Sequence, residues 1–387
     1  MTKHKPEQHQ PLAGVRVVEI GTSVAAPFAT WILAALGAQV VKVERPEGGD
    51  DARQWGALFE DGRGSYFEAL NRDKFGITVD LRNDEDRAWL INYCATEADV
   101  VLQNLRAGNL ESMGLGAVDL VAANPELIYC NLRAFGATGP LTDKPGYDPL
   151  MQAFGGLMSV TGEEGRPAVR VGTSLIDMGT GMWCVIGILS ALYTRTSTGA
   201  GCVLDASLYE TALAWMNMHT ASAQAKGQSP KRGGSGMAGI APYQAYRCSD
   251  GELVVAAPND RLFARLSQAL NHPEWPDEDR FASNQARVAN LSDLNDTLEG
   301  VLGTNTRDHW QAALDAVGVP SAPVRSTLEM LQEPQTQALG MLQELEGQHP
   351  KLMGMPLSFN GTRPALRSMA PSLGEHNVLV KGEREDD

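Results

Sequence analysis

Few residues in this chain combine a reactive type with a telling position, and Asp177 is the first of them. It stands between a polar approach and a long apolar run, in VGTSLIDMGTGMWCVIGILSALYTR at 171–195. Met182, Trp183, Val185, Ile186, Ile188, Leu189 and Leu192 make that run apolar nearly all round, which predicts a buried helix. A carboxylate at the start of such a helix meets free N–H groups and the positive end of the dipole. Two readings of Asp177 stand open: an N-cap that only starts the helix, or a carboxylate set up to react. Gly179 and Gly181 would leave the first turn uncovered, a source of N–H donors for an oxyanion. Other acids near predicted loops are Asp50, Asp51 and Asp148, and Asp148 can also be turn chemistry before Pro149. Arg45, Arg53, Arg72, Lys74 and Arg106 sit in loops or just after predicted strands, where each is either a ligand contact or a solvated charge.

Several chemistries are set aside. The chain has no HExxH, P-loop, EF-hand or Cys/His cluster. The nearest piece to GxSxG, Gly233-Gly234-Ser235-Gly236-Met237, fails at its last position. Its seven histidines show no metal-ligand spacing, so no metal site is expected. At 43% hydrophobic and 20% charged residues the composition is that of a soluble globular protein. A net charge of −15 argues against nucleic acid or an anionic membrane as a general partner, and leaves room for a local basic pocket. Five cysteines without a CxxC read as reduced thiols. MTKHKPEQHQ lacks the apolar core of a signal peptide, and the clean part of the run after Asp177 is short for a bilayer, so a cytoplasmic protein is expected.

The elements that must position these residues follow an α/β rhythm. A tail over 1–12 is expected to be disordered. A strand at Val15–Ile20, a helix at Pro27–Leu36 and a strand at Gln39–Val43 make a tight βαβ start, hence a parallel sheet. The loop between, GTSVAAP, is not GxGxxG, so the dinucleotide fingerprint is absent. Strands at Ile77–Leu81, Asp99–Gln103, Leu127–Leu132 and Cys202–Ala206 alternate with helices at Asp84–Thr96, Leu150–Ser159 and Tyr209–Lys226. Ligands of such sheets bind beyond the carboxyl ends of the strands. Arg45, Asn104 and Arg106 fall there, which suits an anionic, phosphate-bearing ligand. The Gly-rich, basic stretch 227–240 breaks the rhythm, and an α+β pattern with a hairpin at Ser249-Asp250-Gly251 follows. The expected division is a large Rossmann-like domain over 13–225, a small α+β domain over 226–330, and a segment over 331–387 returning to the large domain. Glu383–Asp387 are expected to be disordered.

Several separate stretches, in order, carry a resemblance. They are LAGVRVVEIG at 12–21, AAPFATWILAALGAQVVKVERPEGGD at 25–50, LNRDKFGITVDL at 70–81 and ADVVLQNLRAGNLESMGL at 98–115. FGATGP, GYDPLMQAFGG, SLIDMGTGMWCVIGILSALYTR, GVPSAPV and LGEH follow. Together the chain resembles the family III CoA-transferases, the group of formyl-CoA transferase and carnitine CoA-transferase.

The resemblance implies a function and a set of roles. Asp177 falls on the family's catalytic aspartate, which would attack an acyl-CoA and pass through an anhydride and an aspartyl-CoA thioester. An ionised Asp177 is expected, the reference pKa of the group being about 3.9. Val24, Ala25, Arg45, Lys74, Asn104 and Arg106 match positions near bound CoA. Tyr147, Asp148 and Gln152 match the acyl pocket, and Gly233, Gly234 and Gly236 the family's glycine loop. Some members carry a polar glutamine where this chain has Val24, which speaks against an oxalate- or formate-like substrate. In the α-methylacyl-CoA racemase branch the Tyr147 position is a histidine; tyrosine, with a reference pKa of about 10, favours transfer over racemisation. The substrates implied are a CoA thioester such as succinyl-CoA and a small carboxylic or dicarboxylic acid, with no permanently bound cofactor. The implied assembly is an interlocked homodimer. The competing readings are a racemase or intramolecular CoA-transferase, and a non-catalytic CoA-binding protein.

Overall fold

A computed structural model describes residues 9–346 and 350–382. Most of the expected N-terminal tail, and Glu383–Asp387, lie outside these residues. The tail's end is structured: Leu12 is buried, and its N–H donates to the Leu36 carbonyl at 3.0 Å.

The chain divides into two units, the first made of residues 1–157, 170–222 and 335–387. Its centre is a sheet of β1 (Arg16–Ile20), β2 (Gln39–Glu44), β3 (Phe75–Thr78), β4 (Val100–Gln103), β5 (Ile128–Arg133) and β6 (Cys202–Ser207). The order is β3-β2-β1-β4-β5-β6 and every pairing is parallel. The strands are rich in valine because both faces are covered. Val17, Val40, Val100 and Ile128 pack on one side with Ala29 and Leu33 of the helix Ala25–Ala35 and with Ile188. Val18, Val41, Val101 and Tyr129 pack on the other with Leu90, Cys94 and Leu120. The strand order reverses between β1 and β4, so the loops after these strands diverge and leave a crevice at their carboxyl ends. At the far edge the C-terminal segment covers β3: His376 N donates to Gly76 O at 2.9 Å, and Gly76 N to His376 Nδ1 at 3.1 Å.

The helix that carries Asp177 runs from Leu175 to Thr198, 24 residues, and ends on Gly199 in the left-handed region. It is long and apolar enough to cross a membrane by length and composition, yet it is packed on the first helix and β6. Contrary to the buried helix that its sequence predicts, it is open on one side: Met182, Trp183 and Ile186 are 49%, 44% and 51% exposed. Nor do its glycines bare the first turn. A Cβ on Gly181 would come within 2.8 Å of the Ala25 carbonyl oxygen, and one on Gly179 within 2.8 Å of the Trp215 ring. Both glycines permit close helix packing.

Other elements depart from their sequence pattern. The predicted helix at Tyr209–Lys226 is two, Leu208–Trp215 and Asn217–Lys226. The one at Leu150–Ser159 is Asp148–Phe154 followed by Leu157–Val160. Helices at Ser65–Asn71 and Ala117–Ala123 carry too few periodic turns to stand out in the sequence.

The second unit comprises Met158–Val169 and Ala223–Pro334. The first of these segments falls inside the large domain as the sequence divides the chain. Strands β7 (Tyr243–Cys248), β8 (Gly251–Ala256) and β9 (Ser321–Pro323) form an antiparallel sheet. Helices Asp260–Ala269, Leu291–Leu302 and Arg307–Ala316 cover it through Phe263, Leu298 and Leu314.

Candidate active site

The crevice at the β1–β4 switch point is a cavity of about 270 Å³. It brings together Val24 and Ala25 after β1, Asn104 and Arg106 after β4, Tyr147, and Asp177. All of these except Asp177 come from loops or helix starts at strand ends, where an α/β sheet collects its ligand contacts.

Asp177 is not the cap of its helix. It is the third helical residue, and Ser174 at the N-cap position makes no side-chain cap. The cap comes from another helix. Asp148 is buried, and its Oδ2 accepts the N–H groups of Ile176 at 2.7 Å and Asp177 at 3.3 Å. Gln152, one turn on, fixes Asp148: its Nε2 donates to Asp148 Oδ1 at 2.6 Å, and its Oε1 accepts from Val171 N at 2.8 Å. Asp148 and Gln152 therefore stand behind the cavity, where they set the start of the Asp177 helix.

This arrangement changes the electrostatics of Asp177. Burial, and then the negative charge of Asp148, push its carboxyl up from the usual range to about 7. Its protonated form is favoured far more than in the ionised group expected from the sequence. A carboxyl raised this far beside a cavity is the pattern of a reacting group more than of a surface acid.

A second cavity, of about 490 Å³, lies beyond the carboxyl ends of β1, β2 and β3. Arg45 and Arg82 line it, and Thr22 and Leu105 line both cavities. Arg45 is exposed and paired with Asp51. Arg106 and Lys144 bring positive charge to the first cavity. The sequence singles out neither Arg82 nor Lys144; a cation within the Gly/Pro-rich stretch 136–147 is the available signal for Lys144.

Lys74 does not belong with these residues. It is fully buried, and its Nζ donates to Glu19 Oε2 at 2.8 Å, Asn71 Oδ1 at 2.9 Å and Pro27 O at 2.9 Å. Every proton it can donate is engaged within the core, so it cannot bind a ligand as expected. Gly233, Gly234 and Gly236 belong to the second unit. There Gly236 N donates to Gly233 O at 2.9 Å, and Gly234 N to Gly162 O at 2.9 Å. Among the described residues no group of His, Cys, Asp and Glu could hold a metal ion.

A doubly wound sheet with a carboxylate and loop cations at its switch point describes an α/β enzyme for anionic substrates. Residues 12–377 match the model of CoA-transferase family III, and the chain belongs to that family. It is 36% identical to a succinyl-CoA–D-citramalate CoA-transferase of Chloroflexus aurantiacus, over 97% of this chain and 94% of the relative. It is 35% identical to a succinate–glutarate CoA-transferase of Agrobacterium fabrum, over 98% of this chain and 97% of the relative. Among solved structures, a CAIB/BAIF family protein from Brucella suis superimposes with a TM-score of 0.90 at 39% identity, over 97% of this chain and 99% of that one. The protein is thus a CoA-transferase.

Proposed function

We propose that the protein moves CoA from a thioester, with succinyl-CoA the leading donor, to a small carboxylic or dicarboxylic acid, and that Asp177 is the covalent nucleophile. The observation that carries this reading is the half-buried Asp177 carboxyl on the wall of the switch-point cavity. The two relatives named above act between succinyl or succinate and a second dicarboxylic acid, which supports the substrate class.

Asp177 attacks as the carboxylate. An oxygen lone pair adds to the acyl carbon of the donor, the C–S bond breaks, and its electrons leave on the CoA thiolate. The product is a mixed anhydride of Asp177 and the donor acid. The thiolate then attacks the aspartyl carbonyl of that anhydride and expels the donor carboxylate, leaving an aspartyl-CoA thioester. The acceptor carboxylate attacks this thioester, and the released thiolate takes the acyl group of the second anhydride. Asp177 returns as a carboxylate, and no proton or electron is left over. The Asp148 cap holds the helix start, so the reacting oxygen needs little reorganisation between steps.

The two cavities suit the two ends of CoA. In this reading the nucleotide lies in the larger one, near Arg45 and Arg82, and the pantetheine passes Thr22 and Leu105 to bring the thioester to Asp177. Arg106 and Lys144 serve the phosphates or the far carboxylate of a dicarboxylic acid. A homodimer belongs to the same proposal, supported by the exposed apolar face of the Asp177 helix.

Hydroxylamine added during turnover with succinyl-CoA should convert Asp177 to its hydroxamate, detected by peptide mass spectrometry. Asp177→Asn should lower transfer by about six orders of magnitude, the scale set by loss of a covalent nucleophile. An unmodified Asp177 under active turnover would remove it from the mechanism.

A further inference from the structure

Beneath the wall shared by the two cavities lies a run of buried charge that the transfer steps do not use. Lys42 Nζ donates to Glu19 Oε1 at 2.8 Å, Asp50 Oδ2 at 2.9 Å and the Gly21 carbonyl at 2.9 Å. Glu19 Oε2 in turn accepts from Lys74 Nζ at 2.8 Å and Thr30 Oγ1 at 2.6 Å. The side chains of Glu19, Lys42, Asp50 and Lys74 are all 0% exposed. Burial raises Glu19, but Lys42 and Lys74 overcome it and hold the acid down at about 2. Burial lowers Lys42, and Glu19, Asp50 and Glu44 more than offset that. Dehydrating such charges is expensive, and apolar side chains of similar volume often stabilise a core as well. Stability alone is a weak reason for this network.

The network also holds the wall. Lys42 grips the Gly21 carbonyl. Asn104 takes Thr22 from the other side, with Oδ1 accepting from Thr22 N at 3.0 Å and Nδ2 donating to Thr22 O at 2.9 Å. Asp50 Oδ1 accepts the N–H groups of Ser23 at 3.1 Å and Ala52 at 3.0 Å. Three successive backbone residues are thus pinned by side chains. Ser23 has φ +71°, a left-handed conformation that non-glycine residues rarely adopt without restraint. Ser23, Val24 and Ala25 then line the Asp177 cavity.

We infer that Asp50, held by Lys42, is a positioning residue for the transfer: it fixes Ser23 in its left-handed turn and so sets the Thr22–Ala25 wall that presents the thioester to Asp177. This rests on the proposed entry of the thioester into that cavity. Small displacements of a positioning wall are costly in rate while binding contacts elsewhere survive. The loss should therefore fall on kcat.

Two variants disturb the Asp50 contacts in different ways. Asp50→Asn removes the charge, whereas Asp50→Glu keeps a carboxylate for Lys42 and moves its oxygen away from Ser23. In both, kcat per folded molecule should fall about tenfold or more, with KM for succinyl-CoA changed less than about threefold. Hydrogen exchange of the Thr22, Ser23 and Val24 amides should speed up while that of β1 does not. Adding Ser23→Gly, a residue at ease with positive φ, should recover part of kcat, which it would not do for a general loss of stability. Unchanged kcat in both variants, or unchanged exchange at these amides, overturns the inference. A wild-type protein that moves no CoA overturns the functional reading instead, and the exchange result still decides whether Asp50 sets the wall.

Discussion

Asp177 and Asp148 divide between them two jobs that the sequence offers to one residue. A lone acid ahead of an apolar run is visible in a linear reading, and so is its nearness to a helix start. The identity of the cap is not, because Asp148 reaches Ile176 across 28 positions. The same holds for Lys74. Its position after Arg72 in a basic patch resembles a ligand contact, but Glu19 lies 55 residues away in sequence and takes it into the core. The Asp148 charge has a kinetic consequence. In the proposed mechanism Asp177 attacks as the carboxylate, whose fraction grows as pH rises through the folded value of about 7. The kcat/KM profile for the donor should therefore climb with pH, with a limb near neutrality. Asp148→Asn keeps an acceptor for the helix N–H groups and removes the negative charge, so the limb should move to lower pH. It should stay above the ordinary carboxylate range of about 3.9, because burial is the larger cause. A profile flat from pH 5 to 9 in the parent enzyme would show that another step masks Asp177 or that its carboxyl is not shifted.

At the scale of elements, the parallel sheet was legible because its strands are short, apolar and separated by helical periods. The Asp177 helix was legible in existence and misjudged in setting. Its apolar run looks the same whether both faces meet protein or one is left open, and periodicity does not tell these apart. Its glycines were misjudged too. Read along the chain, Gly179 and Gly181 look like a bare turn; in space they are where the first helix and Trp215 come closest. Gly181→Ala tests which view holds. Alanine is the better helix former by about 1 kcal/mol, so an uncovered turn would gain stability from it. A Cβ 2.8 Å from the Ala25 carbonyl oxygen forces the two helices apart, and such overpacking costs about 1–3 kcal/mol. Urea denaturation should show a net loss, and activity should fall with it because Ala25 lines the cavity. A more stable Gly181→Ala protein would restore the uncovered-turn reading.

At the scale of the whole molecule, the open face of the Asp177 helix asks for a partner. Met182, Trp183 and Ile186 lie exposed on it, and Leu213, Trp215 and Met218 of the two following helices are exposed as well. The Trp183 and Trp215 rings stand 6.2 Å apart, so these side chains form a patch and are not scattered singly. Contiguous apolar surface of this kind marks an interaction site in a soluble protein. A second copy of the chain suits it: like patches pair by a two-fold axis with no new chemistry required. Aspartate at Met182 and Ile186 together would place four charges at such an interface, two from each copy, and like charges there repel. Light scattering should then find the parent protein at twice the 41.6 kDa mass of one chain and the double variant at that single mass. The burial that raises the Asp177 carboxyl to about 7 is that of a single chain, so the double variant should keep the neutral-pH limb in whatever activity it retains. A parent protein that scatters as a single chain at micromolar concentration would end the homodimer proposal and leave the patch to a different partner.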